Sequence, residues 1–350
     1  MRSRVWVRCR VEEADNTFDV SKGVEDRPTS RFVSDQFTAD VRRQQYRSPS
    51  ITFVRWLYVH WARTNLLRTK MTIDLTNIPP DFRILATGVR GPEGPAINSE
   101  GLLHLVSAED AAIFSVSADG DLTEVAQTGG RPNGLVFNSS DEMFVADAVL
   151  KAILKIDNNG DSEVFVEDYE GTNLGGPNDL CFLPNGDLLF TDPIRRPPPD
   201  PAISPVYRVT PEGKVSVFAN ELAYPNGIAV SPDGTHVYVS ESRAQRLIAF
   251  TIDATGKLLD QTLVRRFREP GNPDGMAVDV EGNILQSLPG IRAIAYVSAA
   301  GELIDLYHVP DWAPANLAFG GEDMKTVYVC GSAQNSIYEF RHPVAGASLF

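Results

Sequence analysis

Cysteine and histidine are both scarce, with 3 Cys and 5 His in 350 residues. Cys9, Cys181 and Cys330 show no CxxC and no pair spacing, so neither a disulfide framework nor a thiolate metal site is indicated. Cys181 and Cys330 lie in apolar strand patterns and read as small buried hydrophobes. Nothing demands an oxidising compartment, and a cytoplasmic location is the expectation. His60, His104, His236, His308 and His342 form no i,i+4 pair and no HExxH, which excludes a zinc-protease reading. His104 and His236 fall in strand patterns and read as packed or exposed strand residues. The G-x-S-x-G elbow of a serine hydrolase is missing as well. No run of about 18 apolar residues occurs, so a spanning helix is excluded. Positive charge is short in the larger part of the chain: residues 71–350 carry 18 Lys/Arg against 38 Asp/Glu, a net of −20. Such a body repels phosphate backbones, and nucleic acid is not an expected partner.

The first seventy residues differ, with 14 Lys/Arg against 8 Asp/Glu. Residues 1–50 lack any sustained period and read as disordered. Residues 51–70 are aromatic and basic without a single acid. As a helix they would gather Trp56, Trp61 and Leu67 into an interfacial face. Arg55, His60 and Arg63 break the apolar run, so it is not a signal peptide. The simpler reading makes residues 1–70 an extension ahead of a natural start at Met71. Residues 71–350 then form one domain.

What is abundant is turn residues, 27 Gly and 24 Pro, and a phrase that returns. It reads RPNGLVF at 131–137, GPNDLCF at 176–182, YPNGIAV at 224–230, NPDGMAV at 272–278 and PANLAF at 314–319. Asn133, Asn178, Asn226, Asp274 and Asn316 are therefore spaced by 45, 48, 48 and 42 residues, and Glu93 of GPEGPAI lies 40 residues upstream of the first. A period of this size is one supersecondary unit repeated around an axis.

Each unit supplies short strands bounded by Asp-Gly or Asn-Gly turns, at Asp119-Gly120, Asn185-Gly186 and Asp233-Gly234. In the second unit strands are expected at 134–138, 143–147, 151–157 and 162–167. The last unit offers only three, near 317–319, 326–330 and 336–340. Residues 83–89, RILATGV, are the obvious donor of the fourth, which would close the ring and remove an exposed edge. The expected fold is an all-β, six-bladed propeller of four-stranded antiparallel blades. The insert RRPPPDPAISP at 195–205 is too proline-rich for a strand, and is either a lid or a long surface loop.

The polar phrase precedes the apolar strand that starts each unit, and that strand lines the central channel. Glu93, Asn133, Asn178, Asn226, Asp274 and Asn316 are thus aimed at one mouth. Two carboxylates with neutral amides suit a hard divalent cation, for which Glu93, Asn178, Asn226 and Asp274 are the candidate ligands. For any single copy, Pro-Asn-Gly is also an ordinary turn. Glu93, a poor turn former in a glycine–proline frame, argues against turn chemistry alone.

GPEGP, GPNDLCFLPNGDLLFTDP at 176–193, YPNGIAVSPDGTHVYVSESRAQRL at 224–247 and NPDGMAVDVEGNILQS at 272–287 together resemble the SMP-30/gluconolactonase/LRE family, over about residues 83–341. The resemblance implies a regucalcin-like six-bladed lactonase propeller with one divalent metal at the channel mouth. That ion is usually Ca²⁺, with Mg²⁺, Mn²⁺ or Zn²⁺ as alternatives. It places the family's metal-binding Glu on Glu93, its Asn residues on Asn178 and Asn226, and its Asp on Asp274. One departure is Gly176, where sugar-lactonase members often carry an Arg that holds sugar hydroxyls. The expected activity is metal-assisted opening of a lactone by water, with Asp274 as candidate general base and Asn133 as a substrate contact. A phosphotriesterase or other esterase using the same site, and an interaction propeller without chemistry, are the competing readings.

Overall fold

The computed structural model describes residues 82–347 except Asn158, 196–199 and Glu269. Nearer the N-terminus it describes the backbone strands Arg4–Val11, Phe18–Glu25 and Asp35–Phe37, which pair antiparallel in that order. Met1–Ile73 and Asp74–Phe350 are separate units, and the second carries all of the repeats. The expectations of disorder over 1–50, an interfacial helix over 51–70 and a start at Met71 otherwise lie outside the described residues, as does the side chain of Cys9.

Six four-stranded antiparallel sheets follow one another along the chain. Their first strands are Pro92–Ile97, Pro132–Phe137, Leu180–Phe182, Pro225–Val230, Met276–Val278 and Pro314–Gly320, which define blades 1 to 6. These strands surround the axis: Pro92–Ile97 packs against the first strands of both blade 2 and blade 6. Blade 2 continues through Met143–Asp147, Ala152–Ile156 and Ser162–Val166, within two residues of the spans read from the sequence. The hairpin glycines Gly120, Gly186, Gly234 and Gly282 all take φ between +67° and +88°, the conformation these turns require.

Blade 6 is completed from the other end of the chain. Arg83–Thr87 pairs antiparallel with Ser336–Arg341, with Ser336 opposite Thr87 and Ile337 opposite Ala86. The seam between blades 6 and 1 buries Ala86, Val89, Leu103, Leu105, Val116 and Ile337 together. Every other gap between neighbouring blades has its own apolar cluster, such as Val106, Ile113, Val145 and Leu154 between blades 1 and 2. The core is thus a ring of sandwiched layers, in which alternate residues of each strand serve neighbouring blades. Cys181 and Cys330 are buried and unpaired, as expected. A short hairpin, Asp168–Tyr169 with Thr172–Asn173, links blades 2 and 3 and has no counterpart in the repeat. Among the described residues no helix is long and apolar enough to cross a membrane.

The recurring phrase precedes the first strand in blades 3 and 5, as read from the sequence, but not in the other four. In blades 1, 2, 4 and 6 it lies within the first strand, and the ladder there shifts register, for example between Glu93 and Ala96 and between Pro225 and Ile228. Such irregularities re-aim a side chain out of the regular in–out alternation. None of Asn133, Asn178, Asn226, Asp274 or Asn316 has the positive φ that turn chemistry would use. The glycine of the phrase has another role, which is to let first strands meet at the axis. A Cβ on Gly134 would lie 2.7 Å from the Asn178 carbonyl oxygen and 2.9 Å from Asp179 Cα, and one on Gly275 would overlap the Asn316 amide. Gly134→Ala is therefore expected to destabilise the propeller by about 1–3 kcal/mol, read as a lowered melting temperature. An unchanged melting temperature would show that the blades can move apart there at no cost.

A candidate metal centre at the channel mouth

All six predicted oxygen-bearing residues reach the same end of the channel. Asn178, Asn226 and Asn316 are buried, while Glu93, Asn133 and Asp274 remain partly open. Asn133 Nδ2 donates to Asn178 Oδ1 at 3.1 Å, which links blades 2 and 3. Asn226 Nδ2 donates to Ser242 Oγ at 3.1 Å, leaving its Oδ1 available for the mouth. Asn316 Nδ2 reaches Asp179 Oδ2 at 3.4 Å across the channel.

Asp179 is the functional candidate that sequence reading passed over. It occupies the position of the phrase that holds Gly94, Gly134, Gly227 and Gly275 in other blades. It is 8% exposed and takes a hydrogen bond from the Leu180 N–H at 2.9 Å. The mouth therefore gathers three carboxylates. Burial, then the charges of Asp274 and Asp179, raises Glu93 well above the usual carboxylate range. Burial and the charge of Asp179 push Asp274 up to about 7, opposed by the Asn226 amide and the Arg195 guanidinium. Burial pushes Asp179 up to about 6, opposed by the Leu180 N–H and the Asn316 amide. Among the described residues none of the three forms an ion pair with a basic side chain.

Three desolvated acids without a bonded counter-ion are costly unless something neutralises them. No three His, Cys, Asp or Glu side chains among the described residues converge tightly enough to make a metal cluster alone. A cation here would need the mixture of carboxylate and amide oxygens that Glu93, Asp274, Asn178 and Asn226 offer. This donor set fits a hard divalent ion and is poor for softer metals.

The ring is held from behind by hydroxyl groups near the ends of second strands. Thr191 Oγ1 donates to the Asn226 carbonyl at 2.7 Å, Ser240 Oγ to that of Asp274 at 2.7 Å, and Ser332 Oγ to that of Pro92 at 2.8 Å. Ser287 Oγ does the same for Ala315. Each bond runs from one blade to the next, so the backbone bearing the ring residues is fixed by its neighbour. Gln286 adds a second donor to the Asp274 carbonyl, at 2.9 Å. His104 and His236 lie on second strands, in Leu103–Ser107 and His236–Glu241, and take no part in the ring.

The insert begins at the same mouth. Arg243 donates to the carbonyl oxygens of Ile194 and Arg195, at 3.3 and 2.6 Å. Residues 196–199, which would distinguish a lid from a surface loop, lie outside the described set. Two clefts of about 390 and 350 Å³ open at the far ends of blades 2–3 and 4–5, around Asn138, Pro184 and Thr210 and around Ser231, Glu281 and Ala299. Neither includes a ring residue.

Comparison with known proteins agrees with this architecture. Residues 91–333 match the family described as SMP-30/Gluconolactonase/LRE-like region. A gluconolactonase of Zymomonas mobilis is 27% identical over 303 residues, covering 78% of this chain and 84% of that protein. A diisopropyl-fluorophosphatase of Loligo vulgaris is 24% identical over 296 residues, covering 77% and 94%. A solved calcium-binding protein, regucalcin from Agrobacterium tumefaciens, superposes with a TM-score of 0.68 at 21% identity, covering 77% and 96%; at that identity it speaks to the fold alone. With a match over well more than half its length, a closed ring of six blades and the four phrases in order, the chain belongs to the SMP-30/gluconolactonase/LRE-like family.

Proposed function

We propose that this protein is a metal-dependent lactonase, opening a cyclic ester with water at the channel mouth. The observation that carries the reading is the gathering of Glu93, Asp179 and Asp274 at one mouth with no bonded basic side chain among the described residues. An interaction propeller has no use for so costly a cluster. The Zymomonas relative supports the choice of a lactone. The mixture of carboxylate and amide oxygens, which suits a hard ion, supports calcium.

Glu93, Asn178, Asn226 and Asp274 would hold the cation, with Asp179 adding negative charge beside it. When bound, such an ion polarises a carbonyl oxygen and lowers the pKa of water. Asp274 orients the attacking water and accepts its proton, being partly open to the channel. Asn133 offers a side-chain amide at the rim for a substrate oxygen, braced by its bond to Asn178. Water adds to the lactone carbonyl, the ring C–O bond breaks, and a hydroxy acid leaves.

The Loligo relative favours a second reading in which the same site attacks a phosphotriester. A pH-indicator assay separates the two, with glucono-1,5-lactone and aliphatic γ-lactones in one arm and a phosphotriester in the other. Faster turnover of lactones is the expected result. Turnover confined to the phosphotriester would replace the lactonase reading, and flat baselines in both arms would remove the enzyme claim.

A further inference from the structure

Gly176 stands two residues before Asn178, and the space above it is filled from elsewhere in the chain. A Cβ on Gly176 would lie 3.4 Å from Arg195 Nε and 3.1 Å from the Ala148 carbonyl oxygen. Arg195 follows the second strand of blade 3 at the start of the proline-rich insert. Its Nη1 donates to the Tyr224 hydroxyl at 2.8 Å, and its Nη2 makes a long contact of 3.4 Å with the Gly176 carbonyl oxygen. Its Nε–H is buried and has no acceptor among the described residues. Buried guanidinium donors are normally satisfied, because an unmade hydrogen bond there forfeits the solvation it lost.

A second guanidinium adjoins it. The Arg243 Cζ lies 4.7 Å from the centre of the Tyr224 ring and the Arg195 Cζ 5.8 Å from it, so one tyrosine is flanked by two cations. Neither arginine forms an ion pair with a carboxylate among the described residues. Tyr224 itself has φ of +63°, an uncommon conformation for an aromatic residue, and it immediately precedes Pro225 and Asn226 of the ring. In a body whose residues 71–350 carry a net −20, two such charges beside the site invite an anion.

We propose that Arg195, positioned by Tyr224 and backed by Arg243, binds an acidic substituent on the substrate, so that the preferred lactone carries a carboxylate or similar anionic group. The inference rests on the lactonase reading. A planar guanidinium whose Nε–H has no acceptor among the described residues matches such a group by charge-assisted hydrogen bonds. The lactone carbonyl would then lie over the ring while the anionic end points toward blades 3 and 4.

The test compares γ-butyrolactone with the same ring bearing a carboxylate, in the full-length protein and in Arg195→Ala, Arg195→Lys and Tyr224→Phe. The full-length protein is expected to favour the charged lactone by about tenfold or more in kcat/KM, mostly through KM. Arg195→Ala should erase that preference, Arg195→Lys should restore part of it, and Tyr224→Phe should fall between. A lack of preference in the unaltered protein, or a preference that survives Arg195→Ala, would overturn the assignment. Binding of succinate and of inorganic phosphate, measured by calorimetry without turnover, separates the two claims. Binding lost in Arg195→Ala supports the anion site even if no lactone is opened, and the stronger of the two anions identifies its chemistry. Turnover of neutral lactone with no anion binding leaves the lactonase reading standing and removes this one.

Discussion

Asp274→Ala is expected to lower lactone kcat/KM by about 1,000-fold or more. Two losses combine in that figure. General-base catalysis is worth roughly 10²- to 10⁴-fold, and the same change removes one of two carboxylate ligands proposed for the cation. The fold should survive. Asp274 is held mainly through its backbone, whose carbonyl oxygen accepts from Ser240 and Gln286 and whose N–H donates to the Ser287 carbonyl oxygen. In chelator, a melting temperature at or above that of the unaltered protein would accompany the loss of activity. Retention of more than a tenth of the activity by a folded variant would remove Asp274 from the mechanism.

Asp179→Asn should act in opposite directions with and without metal. In chelator, the carboxylate is buried beside Glu93 and Asp274, whose protonation it already favours through repulsion. Removing its charge relieves that repulsion and its own desolvation, while the Asn side-chain oxygen can still accept from the Leu180 N–H. A gain of about 1–3 kcal/mol in the metal-free protein is expected. In excess Ca²⁺ the order reverses. The unaltered protein should gain about 3 kcal/mol at a hundredfold excess of ligand over Kd, and the variant much less, because one negative charge has left the centre. Thermal melts in chelator and in calcium read both effects. A variant less stable than the unaltered protein in chelator would show that Asp179 is a structural acid satisfied by its hydrogen bonds alone.

Much of this was legible because the repeat is local. Pro-Asn-Gly, Pro-Asn-Asp and Pro-Asp-Gly at 45- to 48-residue spacing identified blades 2 to 5, and the three-stranded last unit pointed to 83–89 as the strand that closes the ring. The same phrase hid two things. Its glycine looked like turn chemistry, whereas Gly134 and Gly275 are needed because neighbouring first strands touch at the axis. Once that slot is seen as a packing position, Asp179 is the exception that stands out, and its carboxylate reaches Asn316 in blade 6. The hydroxyls at Thr191, Ser240, Ser287 and Ser332 also recur at near-blade spacing, 49, 47 and 45 residues apart. That signal was available, but it only acquires meaning when each is seen bonded to a carbonyl of the next blade. Arg195 was not legible as a site residue. Its approach to Gly176 and Tyr224 is made by tertiary packing of an insert that follows no period.

Metal content and activity measured on one sample decide whether a bound cation drives lactone opening. The protein is stripped with chelator, assayed on a lactone, and titrated with Ca²⁺ while bound metal is counted per chain. Negligible turnover is expected after stripping, with recovery that saturates as one ion binds per chain and with Mg²⁺, Mn²⁺ or Zn²⁺ substituting to differing degrees. Full turnover in the stripped protein, with no ion retained on titration, would contradict metal dependence.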